Sequence, residues 1–392
     1  MPWYRREGWG NQVVLSVYSS SSFRKNIQRI GRVIYINLGL IIGALVAAEI
    51  FFDNWILGPD YDSLNVNRDK TSYFDVSEFI KPGKVVTYKR DQFGLRGYYG
   101  ASPANIDVLV IGGSTTDERF LDERETWIAQ LQGKFMAAGH DLAVTNAAID
   151  GQSTRGYIRA FDLWLSNIPK LKPKYVIAYL EINDVAVVTG IGKFDDMRSP
   201  SVSRQMGQYI MNHSDFYDQF SKIKESLVAR WTTLMHGANA QITGLWMPVS
   251  KWTSREIMSI NISQKLDDYN RRLQALSFRI KKLGAEPIYV TQPRGDYRFI
   301  DGELEVLVQE NQVKGDFELS HQTLVQMFPL NEVTLAFCRD RKLYCIVLAG
   351  NIDLTDNDLY DDLHTPPSGS KKIANYIFTN FRRYLKQKGS GT

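Results

Sequence analysis

The sequence predicts an α/β protein, with crossover helices on a mostly parallel sheet, preceded by one membrane-spanning helix. Three observations carry this. From residue 106 to about 386, short apolar runs bounded by glycine or proline alternate with longer amphipathic stretches, the rhythm of strand–helix–strand units. Residues 33–52 form a nearly unbroken apolar run of about 20 residues, which at 1.5 Å per residue matches a bilayer core of roughly 30 Å. Composition is globular: 44% hydrophobic and 23% charged residues over 392 positions suffice for one large domain or two ordinary ones. The net charge of +4 is small for this length and predicts no nucleic-acid partner.

Taken in order, residues 1–32 are a basic segment, with Arg5, Arg6, Arg24, Lys25, Arg29 and Arg32 against Glu7. The run 33–52 reads VIYINLGLIIGALVAAEIFF, interrupted only by Asn37 and Glu49, and is followed by Asp53, Trp55, Asp60 and Asp62. Positive charge on one flank places the N-terminus in the cytoplasm and the bulk of the chain outside, anchored by a single pass in the cytoplasmic membrane. A cleaved signal peptide fits less well, because about thirty residues precede the run. A buried core helix of this length would show a polar face.

Residues 53–105 read as a connecting and packing segment broken by Pro59, Pro82 and Pro103, with an extended stretch and turn at 87–97 that puts Gly94 and Gly97 at positive φ. The main domain, 106–386, then opens with a strand at 108–111, a helix at 118–138, a strand at 142–146, a helix at 156–165 and a strand at 175–180. Between about 185 and 262 the rhythm breaks, and an insertion containing Trp231, Trp246 and Trp252 reads either as a lid or as extra core helices. The alternation resumes with a helix at 263–283, a strand at 286–292, a helix at 330–338 opening after Pro329, a strand at 343–348 and a helix at 370–386. Residues 387–392 are a polar tail. Cys338 and Cys345 are too few for a zinc site; they read as two buried free thiols, a single bridge being the alternative.

Four short pieces carry chemistry. Gly112-Gly113-Ser114-Thr115 follows the first strand of the domain. Asn146 to Thr154, containing Gly151, follows the second, and Glu181-Ile182-Asn183-Asp184 the third. Asp361-Asp362-Leu363-His364-Thr365 precedes the last helix. A serine hydroxyl needs a base within hydrogen-bond reach to act as a nucleophile. Of the five histidines, His364 fits best, since Asp361 three residues earlier can orient its ring from the side away from the serine. A developing oxyanion needs preorganised donors, and the Ser114 and Gly151 N–H groups and the Asn183 amide are the candidates. Each piece also has a plain reading: Ser114 as a helix cap, Asn183-Asp184 as a turn, Gly151 as a turn opener, His364 as a surface or capping histidine, and the acidic pair as a solvated turn or a weak cation site with Asp353 and Asp358.

In their order and placement the four pieces resemble the SGNH (GDSL-type) hydrolase family, over about residues 106–385. The resemblance implies a three-layer α/β/α, flavodoxin-like sandwich, with Ser114 as nucleophile, His364 as general base, Asp361 as its partner, and Ser114, Gly151 and Asn183 as oxyanion donors. It implies no metal and no organic cofactor. Two positions depart from the family's pattern: Glu181 stands where glycine is usual, and Gly113 where aspartate is commoner. The function implied is a membrane-anchored serine esterase acting on acyl, including acetyl, esters of an envelope or exported glycan. An O-acyltransferase with the same triad and an inactive glycan-binding or scaffold domain are the rivals. Other signatures are absent: there is no Gly-x-Ser-x-Gly elbow, no dinucleotide or P-loop glycine pattern and no His-Glu-x-x-His. Arg90, Arg96 and Arg155 read either as solvated or as groups for an anionic or sugar substrate.

Overall fold

The structure is a computed structural model that describes residues 20–52, 64, 66–78, 80, 83–180, 182–189, 195, 245–248, 263–295, 297–300, 303–308, 318–361 and 363–389. The chain divides into two units, Met1–Gly58 and Pro59–Thr392.

In the first unit, helix α1 (Ser20–Phe52) is continuous and begins well before the expected span. Its segment Ile27–Ala47 is long and apolar enough to cross a membrane and is nowhere buried in protein. Asn37 returns its side-chain N–H to the Val33 carbonyl at 2.9 Å, which satisfies its amide donor inside the apolar stretch.

The second unit is built on five parallel strands: β3 (Val108–Gly112), β4 (Val144–Asn146), β5 (Tyr175–Tyr179), β7 (Glu286–Val290) and β10 (Tyr344–Ile346). Their spatial order is β10-β7-β5-β3-β4, with every pairing parallel. This is the doubly wound flavodoxin-like order, whose switch point lies between β3 and β5. All five residues of β3 are buried, as a central parallel strand requires. Leu109, Ile111, Val176 and Ala178 face a core completed by α4 (Thr154–Leu163), α6 (Ser263–Lys282) and α7 (Glu318–Arg341), through Phe161, Leu273 and Phe337. Val108, Val110 and Ile177 face the other way, onto Leu131 and Phe135 of α3 (Trp127–Ala137) and Ile377 and Phe381 of α8 (Pro367–Gly389). The three-layer sandwich is therefore as expected.

Several expectations are corrected. The helix expected over 118–138 is broken: a single turn, α2 (Ser114–Asp117), ends at Glu118, whose φ of 45° is left-handed, and α3 starts only at Trp127, where Thr126 Oγ1 caps the Ala129 N–H at 3.2 Å. Pro329 lies inside α7 rather than ahead of it. A proline there removes one helical hydrogen bond, and the buried Met327 and Leu330 on either side anchor the helix through it. Cys338 and Cys345 are bridged, with Cα atoms 6.1 Å apart. The tight turn from α7 to β10, with Lys342 at φ 54° and Leu343 N–H bonded to the Cys338 carbonyl at 2.9 Å, sets them side by side. The remaining strands and helices differ from expectation mainly at their ends.

Two antiparallel pieces were not foreseen. Strands β1 (Lys70–Asp75) and β2 (Val85–Arg90) form a hairpin. Strands β6 (Leu245–Pro248), β8 (Tyr297–Ile300) and β9 (Glu303–Val308) form a small sheet in the order β6-β9-β8. Neither Arg90 nor Arg96 is solvated or open to a substrate; they are 2% and 1% exposed. Arg90 pairs with Asp117 at 2.6 Å and donates to the Gly94 carbonyl at 2.6 Å, while Arg96 donates to the Leu121 carbonyl at 2.6 Å and to Glu123 at 2.9 Å. The two arginines thus clamp the turn that follows β3. Arg155 alone of the three is exposed.

Candidate active site

Ser114 stands at the carboxyl end of β3, directly at the switch point. Its Oγ lies 2.8 Å from His364 Nε2, and His364 Nδ1 lies 2.7 Å from Asp361 Oδ2. The second carboxylate oxygen of Asp361 accepts the backbone N–H of Leu363 at 2.8 Å and of His364 at 2.7 Å. That turn explains the three-residue spacing, since Asp361 both folds the loop and orients the ring. The Tyr360 N–H closes the loop on the His364 carbonyl at 3.0 Å, and the Tyr360 ring stacks on the imidazole at 5.7 Å between centroids.

Burial opposes charge on His364, but the hydrogen bond and charge of Asp361 outweigh it and hold the imidazole above its ordinary pKa. Burial likewise pushes Asp361 up, and its bonds to His364 more than reverse this, so the carboxyl stays below its usual range. The pair is poised to accept a proton from Ser114 at Nε2 and to stabilise the resulting imidazolium.

Of the three expected oxyanion donors, the Asn183 amide lies beside Gly113, next to Ser114. Asn183 sits in the first turn of α5 (Ile182–Thr189) and donates its amide to the Gln152 carbonyl at 2.7 Å. Gly151, just before Gln152, has φ 74°, a conformation side chains resist. Any Cβ on Gly113 would run into Asn183 Nδ2. The amide therefore lies over the residue preceding Ser114, and glycine at 113 is what makes room for it.

Gln292 and Glu118, which the sequence did not single out, and Asp184 and Asn146, which it placed in motifs without a role, hold this geometry. Gln292 donates to Thr115 Oγ1 at 3.0 Å and accepts the Ile182 N–H at 3.2 Å, tying the turn at Ser114 to α5. Asp184, buried, accepts from Thr154 N–H at 3.0 Å and pairs with Arg272 at 3.1 Å, locking α5 to α4 and α6. Asn146 donates to the Thr116 carbonyl at 2.8 Å. Glu118 is the most unusual: 5% exposed, it accepts from Trp127 N–H at 2.6 Å, Thr365 Oγ1 at 3.0 Å and Ser370 Oγ, while its own N–H donates to the Ser114 carbonyl at 2.8 Å. Burial pushes its carboxyl up to about 7, against the lowering effect of those hydrogen bonds.

Among the described residues, no group of three or more His, Cys, Asp or Glu is arranged to hold a metal ion. Asp358, considered with Asp353 for a cation, pairs with Lys372 at 2.7 Å instead. Glu181, Asp362, Trp231 and Trp252 lie outside the described residues, as does most of the insertion.

No family model and no curated protein matches the chain. Solved structures similar to it include TesA (13% identity, TM-score 0.39, covering 70% of this chain and 98% of that one). The psychrotrophic esterase EstA from Pseudoalteromonas sp. is similar at 12% identity and TM-score 0.39, covering 71% and 99%. A variant of Axe2, an acetyl-xylooligosaccharide esterase from Geobacillus Stearmophilus, is similar at 13% identity and TM-score 0.37, covering 70% and 92%. In this chain Ser114, His364 and Asp361 form one hydrogen-bonded row at the carboxyl edge of the sheet.

Proposed function

We propose that the protein is a membrane-anchored serine esterase that removes acyl groups, acetyl among them, from a glycan outside the cytoplasmic membrane. The observation that carries the chemistry is the continuous row of Ser114 Oγ, His364 Nε2, His364 Nδ1 and Asp361 Oδ2, with contacts of 2.8 and 2.7 Å. His364 takes the proton as Ser114 Oγ attacks the ester carbonyl. The tetrahedral oxyanion is held by the Ser114 and Gly151 N–H groups and the Asn183 amide. Collapse expels the sugar alcohol, which receives the proton from His364, and leaves an acyl-serine. Water, deprotonated by His364, then attacks that acyl group, and the carboxylic acid departs as Ser114 recovers its proton.

The location is supported by the basic residues ahead of the apolar run, Arg5 and Arg6 before α1 and Arg24, Lys25, Arg29 and Arg32 in its first half, and by the apolar length of α1 itself. A catalytic domain tethered outside that membrane meets envelope and exported polymers, which supports a glycan as the alcohol. The test is turnover of p-nitrophenyl acetate by the full-length protein in detergent, with Ser114→Ala as the comparison. Ser114→Ala should lose activity by a factor on the order of 10⁶; equal turnover by the two proteins rejects the reading. Acyl transfer to an added oligosaccharide faster than release of free acid would instead make the enzyme a transferase.

A further inference from the structure

At the same carboxyl edge of the sheet lies a cavity of about 510 Å³. One wall is the small antiparallel sheet, through Trp246, Tyr297, Arg298 and Ile300; the floor is the turn after β7, with Arg294; the other wall is the chain from Ala349 to Asn357. Both walls lead to the candidate active site. The second runs four residues beyond Asn357 to Asp361. The first is fixed by the Tyr297 hydroxyl donating to the Gln292 carbonyl at 3.0 Å, and Gln292 in turn holds Thr115 beside the nucleophile. Tyr297, Leu304 and Met247 also pack against Ile182 and Val185 of the helix that carries Asn183.

The lining is mixed. The Arg298 guanidinium lies 4.1 Å over the Trp246 ring and pairs with Glu305 at 2.7 Å. Arg294, Asp353, Asn357 and Thr355 alternate around the cavity with Ile300 and Leu354. A saturated acyl chain placed here would strip water from those polar groups without replacing the hydrogen bonds lost. Sugar rings supply both what the ring and aliphatic groups need, a C–H face, and what the polar groups need, hydroxyls. Reach points the same way. The cavity sits beyond β7 and β10, two and three strands from β3, roughly 10–14 Å at about 4.8 Å per strand. An acetyl group on Ser114 does not span that distance, but the alcohol of an oligosaccharide ester does.

Resting on the serine-esterase reading, we propose that this cleft is a saccharide subsite that binds sugar units flanking the acylated one, with Trp246 and Arg294 as its principal contacts. The experiment uses the full-length protein in detergent and compares wild type, Trp246→Ala and Arg294→Ala. Substrates are acetylated xylo- and chito-oligosaccharides, p-nitrophenyl acetate and p-nitrophenyl palmitate. For at least one sugar, each variant should lower the ratio of kcat/KM for the oligosaccharide to that for p-nitrophenyl acetate by about tenfold, chiefly through KM. Ratios unchanged for both sugars, or a selective loss on the palmitate ester, overturn the proposal. Binding of the deacetylated oligosaccharides is read separately by calorimetry in the Ser114→Ala background, with and without Trp246→Ala. Binding that Trp246→Ala abolishes supports the subsite even if no ester is turned over, in which case only the esterase reading fails. Binding that is absent, or indifferent to Trp246→Ala, rejects the subsite on its own.

Discussion

Asp361 and His364 lie three residues apart and hold each other through their own loop, whereas Ser114, Gly151 and Asn183 come from three strand ends and are held by residues far away in the chain. In the first arm the Asp361 bonds to His364 Nδ1 and to the Leu363 and His364 N–H groups, and the Tyr360 N–H bond to the His364 carbonyl, all lie within 360–364. In the second arm, Gln292 reaches Thr115 across 177 positions, and Thr365 reaches Glu118 across 247. The local arm is set by chemistry that a few residues carry in themselves. The distant arm exists only once the sheet has brought its strand ends together. Damage to the first should therefore act on chemistry with little change in stability, while damage to the second should mix the two.

The largest effect should follow from Asp361→Asn, which keeps the shape of the loop but no longer favours the tautomer that presents a bare Nε2 to Ser114. A loss of kcat on the order of 10⁴ is expected, with thermal unfolding close to wild type. The remaining activity should show a changed pH profile. Asp361 holds the His364 pKa above its ordinary value, and the neutral imidazole is the active form, so wild-type activity rises with pH through that raised value. With the carboxylate gone, the acidic limb should move to lower pH. A limb that stays in place would mean that another group controls it.

A smaller loss, about 10²–10³ in kcat, is expected for Asn183→Ala if its amide serves the oxyanion. Gly113→Ala makes this test sharper because it leaves the amide in the molecule and pushes it away. Its new Cβ would collide with Asn183 Nδ2, and since Gly113 has φ −92°, backbone strain adds nothing. The expected fall is up to about 10², the effect of a displacement near 1 Å at a reacting centre. In the double variant Asn183→Ala, Gly113→Ala, the second substitution should cost little more. Additive losses, measured as a double-mutant cycle on kcat/KM, would show that Gly113 acts by some other route.

The same contrast sets what the sequence made legible. The strands at 108–112, 175–179 and 286–290 announce themselves as runs of buried β-formers between breakers, and the Asp361–His364 spacing announces its loop. The small antiparallel sheet was missed although part of its signal is present: Tyr-Arg-Phe-Ile and Glu-Leu-Glu-Val-Leu-Val flank the dipeptide Asp-Gly in the sequence, a pattern that favours a hairpin, and the two runs pair as β8 and β9. The break at Glu118 carried no such signal. Thr-Thr-Asp-Glu is a good helix start, and only the clamp of Arg90 and Arg96 together with the burial of Glu118 shows why the helix stops after one turn. Gln292 is equally silent, since a glutamine after a strand becomes meaningful only by what lies opposite.

Glu118 offers the finest probe of the distant arm, because it joins the turn after Ser114 to the segment after His364 and its effect is read in stability as well as rate. Its pKa in the fold, about 7, lies above its ordinary 4.5, so the folded state binds this proton more tightly than the unfolded chain does. Stability from this group is then full below about pH 4.5 and is lost as pH rises through about 7, amounting to about 3 kcal/mol at 1.36 kcal/mol per unit. His364, also raised, contributes with the same sign in the same direction. Glu118→Gln removes one of these two titrations and keeps an oxygen for Thr365 or Trp127. Thermal unfolding followed from about pH 5 to about pH 8 should fall less steeply in the variant than in wild type, with kcat at neutral pH changed only a few-fold. Parallel slopes in the two proteins would mean that the carboxyl is already ionised across this range, and that it ties the two segments together as a fixed charge.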